Sequence, residues 1–185
     1  MSAPQINYQN YELRGFELAV DASHTAQSAR LSFNRLTGKP IDMYRTGINF
    51  KLAENGGAFN MKVLRPEDAL VFHAFANLAK EAEATRLSLN PDSLILNGNN
   101  WNIPADNQIS IETQQPTFQN FVLSRDQQQF KIESNTERQE LAANFQGFRL
   151  AALFSLLNST ESPIDGQLNG QLRLLNLDQT PAFAT

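Results

Sequence analysis

Apolar residues recur at every second position along most of this chain, and that period limits what it can fold into. Leu13 is followed by Phe16, Leu18 and Val20, with Gly15 placed for a bulge. Leu31 and Phe33 alternate, then Ile48, Phe50 and Leu52, and then Phe59, Met61 and Val63. Asn55-Gly56, between the last two runs, is a favoured hairpin signal. Leu87 and Leu89 precede a turn at Asn90-Pro91-Asp92, and Leu94, Leu96, Trp101, Ile103, Ile109 and Ile111 follow. Phe121 and Leu123, Phe130 and Ile132, and Leu141 and Phe145 continue the pattern, which ends at Leu168, Leu172 and Leu174. The expected fold class is mostly β, an antiparallel-rich sheet with one apolar face. Left flat, that face would meet water at about 25 cal/mol per Å2 of apolar area. The sheet must curl, pack on another sheet, or hold something apolar.

Two segments break the rule. Pro66 to Ala84 opens with a proline and two acids, as helices do, and Val71, Phe75, Leu78 and Ala82 share a helical face. The same stretch alternates as Leu70, Phe72, Ala74, Ala76 and Leu78, so its periodicity fits both templates. In "GFRLAALFSLLNS", Leu150, Leu153, Phe154 and Leu157 stand at helical spacing, which predicts a short helix near 148–157. No shift in composition marks a boundary, so residues 1–185 read as one β-rich segment.

At 185 residues with 41% hydrophobic and 18% charged residues, the chain can bury a core and is not of disordered type. Asn and Gln supply much of the polarity. The net charge of −4 and the lack of a Lys/Arg cluster argue against a nucleic-acid partner. With 0 cysteines there is no disulfide framework and no thiolate metal site. No apolar run approaches the ~20 residues of a membrane helix, and "MSAPQINYQ" lacks a signal-peptide core.

Groups capable of chemistry are sparse. His24 lies in "DASHTAQ" and His73 between Phe72 and Ala74, and neither has a partner at metal-ligand or triad spacing. Glu67 and Asp68 follow a proline, as first-turn acids do. Lys80, Glu81 and Glu83 form a solvated charge run, and Asp106 falls short of a calcium loop. The glycines of "ENGGAF" and "IDGQLNGQL" lack the Lys and Ser/Thr of a phosphate loop. The expectation is a protein that is not an enzyme and uses no cofactor or metal.

"LSLNPDSLILNGNNWNIPADNQISIE" holds the one tryptophan and resembles a segment of the TamB-like (AsmA-like/TamB) translocation and assembly proteins, Bacteroidetes type. The shared pattern is a serine-containing turn, then W-x-I and N-x-I, here Ser93, Trp101, Ile103, Asn107 and Ile109. "FQNFVLSRDQQQFKIES", "FRLAALFSLL" and "IDGQLNGQLRLLN" follow in the order such proteins show, so the likeness covers the C-terminal half. It implies an internal piece of a longer periplasmic protein anchored in the inner membrane. The implied fold is an elongated half-pipe, or β-taco, with an apolar interior that carries phospholipid toward the outer membrane. The implied partners are phospholipid acyl chains and an outer-membrane barrel assembly factor.

Alternation and resemblance together name a lipid-groove lining: Leu94, Leu96, Trp101, Ile103, Ile109, Ile111, Phe130, Ile132, Leu168 and Leu172. Free strand edges, or the apolar face, would favour self-association. The alternative is a structural solenoid, sandwich or adhesin module with a closed, dry core. An envelope enzyme or glycan-binding module would need clustered aromatics and carboxylates.

Overall fold

The computed structural model describes residues 1–23, 26–38, 41–81, 84–112, 115–137, 140–150, 166–175 and 182–184. Among these the chain is mostly β and its strand pairs are antiparallel. In chain order the strands are β1 (Ser2–Tyr8), β2 (Tyr11–Ala22), β3 (Ala26–Gly38), β4 (Ile41–Ala53), β5 (Gly56–Leu64), β6 (Leu70–Lys80) and β7 (Ala84–Leu89). A single 3-10 turn, Pro91–Ser93, leads to β8 (Ile95–Leu96), β9 (Asn99–Asn100), β10 (Gln108–Glu112) and β11 (Gln115–Gln119). Then come β12 (Phe121–Arg125), β13 (Gln128–Asn135), β14 (Glu140–Arg149), β15 (Gln167–Leu175) and β16 (Ala182–Ala184).

Strands β1 to β7, then β10 and β11, lie side by side in an open 11-stranded sheet that also takes in β8 and β9. Strands β12 to β16 form a second, 5-stranded sheet. The sequence alone suggested one sheet; the break falls at Asn120, which turns the chain with φ 47° between β11 and β12. A bridge ties the two sheets together. Asn102 N donates to Ser124 O at 2.8 Å, and Ser124 N donates to Asn102 O at 2.9 Å.

The segment that fitted both templates is strand: β6 pairs with β5 along Leu70 to Ala79 and with β7 along Ala76 to Lys80. Its alanines suit both conformations, and two flanking ladders decide between them. Arg65 to Asp68 make the turn before it, with Asp68 N donating to Arg65 O at 3.1 Å. The predicted helix near 148–157 is corrected at its start. Phe148 and Arg149 belong to β14, paired with Leu168 and Gln167 of β15, and Leu150 follows as a turn. The remainder of that expectation, 151–157, lies outside the described residues, as does His24.

One irregular level crosses the early strands. The apolar phase slips by one residue from Leu13 to Phe16, from Phe33 to Leu36, and from Met43 to Thr46. Leu13, Leu36 and Met43 are register partners of one another. Gly15 sits at this level with φ 61°, and β4 shifts register against β5 between Tyr44 and Thr46. An extra residue at such a level returns slipped side chains to the same face. The positive φ favours glycine at this position, and a Cβ there would also require the exposed Asn34 side chain to move.

Candidate functional site: the apolar face of the larger sheet

Residues directly opposite in an antiparallel pair share a face, so the register defines what each face carries. One row reads Val20, Ala29, Phe50, Phe59, Ala76 and Leu89 across β2 to β7. Its neighbour reads Leu18, Leu31, Ile48, Met61 and Ala74. A third reads Leu52, Gly57, Leu78, Leu87, Ile109 and Phe118, ending on β11. The opposite face carries rows such as Glu17, Ser32, Gly47, Lys62 and His73, and Ala19, Arg30, Asn49, Asn60 and Phe75. The sheet is therefore amphipathic over most of its width.

Burial on the apolar face is graded. Val63, Thr46 and Phe33, on the row nearest the irregular level, are 0%, 2% and 9% exposed. Ala74 and Ala76 of β6 are also buried, whereas Leu18, Leu31, Ile48, Phe50, Phe59 and Met61 are half-buried. At the margins Leu52 is 36%, Ile111 52% and Val20 67% exposed. A cavity of about 360 Å3 opens at the tips of the β2–β3 and β4–β5 hairpins, against Ala26, Gln27, Leu52, Ala53 and Gly57.

The predicted lining divides between two environments. Leu94, Trp101 and Ile103 are 5%, 2% and 4% exposed and form a closed core with Leu123 and Phe148. Leu96 and Phe130 pack against that core, together with Leu89, Phe121 and Phe145. The Trp101 ring lies 5.5 Å from that of Phe148, which is 5.7 Å from Phe130 and 5.9 Å from Phe145. These separations are those of packed aromatic rings. The Trp101 indole N–H has no hydrogen-bond partner, so the residue contributes apolar bulk rather than a polar handle. Ile109 is half-buried on the larger sheet's apolar face beside Leu87 and Phe118, and Ile111 is next to it at the rim. Ile132 aligns with Phe121 and Ala143 on the smaller sheet, where Leu172 continues the row at 40% exposure. Leu168, opposite Phe148, is half-buried.

The asparagine-rich setting of Trp101 follows from the pairing. Trp101 N donates to Leu94 O at 2.9 Å, so the two side chains share a face, while Asn100 and Asn102 point to solvent. Two residues of the same stretch do more than the alternation revealed. Ser93, 7% exposed, accepts a hydrogen bond from Phe75 N at 3.2 Å and donates to Asn90 O at 3.0 Å, joining the 3-10 turn to β6. Asn107, 2% exposed, accepts from Leu89 N at 2.8 Å and donates to Leu89 O at 2.8 Å and Pro104 O at 2.7 Å. Leu87 pairs with Ile109, so residue 107 stands where the next ladder partner of Leu89 belongs. The backbone turns away there, with Asn107 N bound to Pro104 O at 3.1 Å, and the side-chain amide replaces the missing peptide. The N-x-I pattern at Asn107 and Ile109 was the available signal.

Several of the residues capable of chemistry sit in local pairs. Asp68 is ion-paired with Arg45, Glu81 binds Arg86 at 2.5 Å, and Asp106 accepts from Asn120 at 2.5 Å. Glu140, a buried carboxylate, is held by Arg173 at 2.9 Å. No cluster of three or more metal-ligating side chains occurs among the described residues. No helix among them is long and apolar enough to cross a membrane.

His73 stands on the polar face between Lys62 and Ile95, with Nε2 buried and unpaired. Burial first, and then the Lys62 ammonium, lower its pKa below the ordinary 6.5. Below about pH 6.5 the unfolded chain then binds a proton that the folded chain resists. The contribution to stability is intact above that pH and is lost as pH falls through the depressed folded value. The melting temperature should drop between about pH 7.5 and about pH 5, and drop less in His73→Gln. Equal drops in both proteins, followed by calorimetry, would remove His73 from the account.

Comparison with protein-family models, curated proteins and solved structures finds no match to this chain.

Proposed function

We propose that the chain is a non-enzymatic segment of a bacterial envelope protein, and that the apolar face of its larger sheet holds phospholipid acyl chains. The observation that carries this reading is the run of adjacent apolar rows, buried at Ala74 and Ala76 and otherwise half-buried or exposed, backed by a polar face. The row from Leu52 to Phe118 crosses β4, β5, β6, β7, β10 and β11. At ~4.8 Å per strand it spans about 24 Å, more than the ~15 Å depth of one acyl layer in a bilayer. Each methylene covered contributes about 0.8 kcal/mol, so a lining of Leu, Ile, Phe and Met needs no polar anchor to retain a chain. The TamB-like resemblance supports the same reading. It adds the half-pipe shape, the periplasmic location, the inner-membrane anchor of a longer parent protein and the barrel assembly factor as a partner. Self-association, on this reading, runs through the apolar face.

The lining differs from the one first read from the sequence. Ile109 and Ile111 remain in it. Leu94, Trp101 and Ile103 belong to a closed core, and that core favours the second reading, a structural module whose apolar residues are covered by protein.

Photo-crosslinking residues placed in cells at Phe50, at Lys51 and at Phe130 separate the two. Phe50 and Lys51 are neighbours whose register partners, Phe59 and Ala58, lie on opposite faces. Phospholipid adducts at Phe50, with none at Lys51 or Phe130, are expected. Folded protein that captures lipid at none of the three would leave the structural module as the function.

A further inference from the structure

We infer that Asn55, at the tip of the β4–β5 hairpin, is a site of spontaneous covalent modification, where the side-chain amide is lost and aspartate and isoaspartate form. The sequence holds three Asn-Gly pairs: Asn55-Gly56, Asn97-Gly98 and Asn169-Gly170. In such a pair the glycine nitrogen, once it gives up its proton, attacks the asparagine Cγ. The bond from Cγ to the side-chain nitrogen breaks, ammonia leaves, and a succinimide ring joins the two residues. Water then opens the ring at either carbonyl. The net change is water taken up and ammonia released, so this intramolecular step needs no other reactant. Glycine favours the closure because it has no Cβ to crowd the ring.

The fold separates the three pairs. Gly98 N donates to Val71 O at 2.8 Å, Val71 is 1% exposed, and Asn97 Oδ1 accepts from Arg65 at 3.4 Å. Asn169 Oδ1 accepts from Gly147 N at 2.6 Å, and Gly170 pairs with Phe145 inside β15. In both pairs the side-chain oxygen is held and must be released before Cγ can turn toward the glycine nitrogen. Asn55 is exposed, and among the described residues nothing bonds its side chain. Its peptide is held by the closing rung of the hairpin, Ala53 with Gly56, and by Lys80 N, which donates to Asn55 O at 3.1 Å. Rungs at the end of a ladder open most readily. The fold also holds glycine at position 56, since φ is 153° and a Cβ there would run into Leu78 O. Either product sets a carboxylate beside Glu54, and isoaspartate inserts a methylene into the main chain. Both changes fall at the margin of the apolar face, where Leu52 is 36% exposed. The inference does not depend on what fills that face.

The test is peptide mapping by mass spectrometry on the full chain aged in mildly alkaline buffer, folded and in urea. Electron-transfer fragmentation separates isoaspartate from aspartate. In the folded chain Asn55 should lose its amide about ten-fold or more faster than Asn97 or Asn169. In urea the three rates should converge, since each asparagine precedes glycine. Asn97 or Asn169 reacting as fast as Asn55 in the folded chain would overturn the inference. The same order of rates in urea would overturn it too, because the fold would then not be the cause. In Asn55→Gln, which needs a larger ring, the fast release of ammonia should disappear; release at the wild-type rate would place the reaction elsewhere.

Discussion

Trp101→Ala is expected to cost about 3–5 kcal/mol of folding stability, the range for emptying a large aromatic site in a packed core. Trp101 is 2% exposed and packs against Phe148, itself 1% exposed, with the two rings tilted by 54°. Phe148 in turn joins β14 to Phe130 of β13. Removing the indole therefore opens a cavity where the 90–104 connection meets the smaller sheet, and few neighbouring atoms can collapse into it. Domains of this kind have about 5–15 kcal/mol in total, so the variant should unfold at much lower urea, read by circular dichroism. Ile111→Ala, at a rim position 52% exposed, should stay within about 0.5 kcal/mol. If the two substitutions cost the same, the cluster is not a closed core and Trp101 returns to the open lining.

The second large effect is at Asn107. Asn107→Leu keeps the approximate volume and removes three hydrogen bonds, to Leu89 N, Leu89 O and Pro104 O. Each buried group left without a partner costs about 1–3 kcal/mol, so a loss of about 3 kcal/mol or more is expected. Asn107→Asp is the discriminating companion. It retains the acceptor for Leu89 N but sets a carboxylate against the carbonyls of Leu89 and Pro104, and it should be at least as damaging. Urea denaturation gives the magnitude, and the Leu89 amide should lose its protection from hydrogen exchange in Asn107→Leu. An intact Leu89 amide in that variant would mean that water replaces the side chain at no cost.

These residues also mark where the sequence was legible. Period-two alternation located most of the strands and placed Phe130 and Lys131 on opposite faces, as their partners Phe145 and Asn144 show. It left Leu70–Lys80 open because alanine satisfies both periods, and the β5 and β7 ladders supplied the decision. It misjudged Phe148, where apolar spacing resembled a helix, because a register shift at Gly147, φ 53°, breaks the alternation of β14. The resemblance picked out Ser93, Trp101, Ile103, Asn107 and Ile109; the first four are at most 7% exposed, and Ile109 is half-buried. In this chain Trp101 and Ile103 close the core, and Ser93 and Asn107 replace backbone partners of Phe75 and Leu89.

What the sequence by itself determined is the class of fold and, within a single regular strand, which residues share a face. Both follow from side-chain period and turn chemistry, which are local. Only the tertiary structure decided which apolar residues are covered. Leu94 and Ile109 belong to equally good alternating runs, yet Leu94 lies in a closed core and Ile109 on a half-open face. Alternation says that a side chain leaves water on one side of a strand. What lies across from it is set by the bridge at Asn102–Ser124 and the corner at Asn120, contacts between residues distant in sequence or geometry with no period of its own.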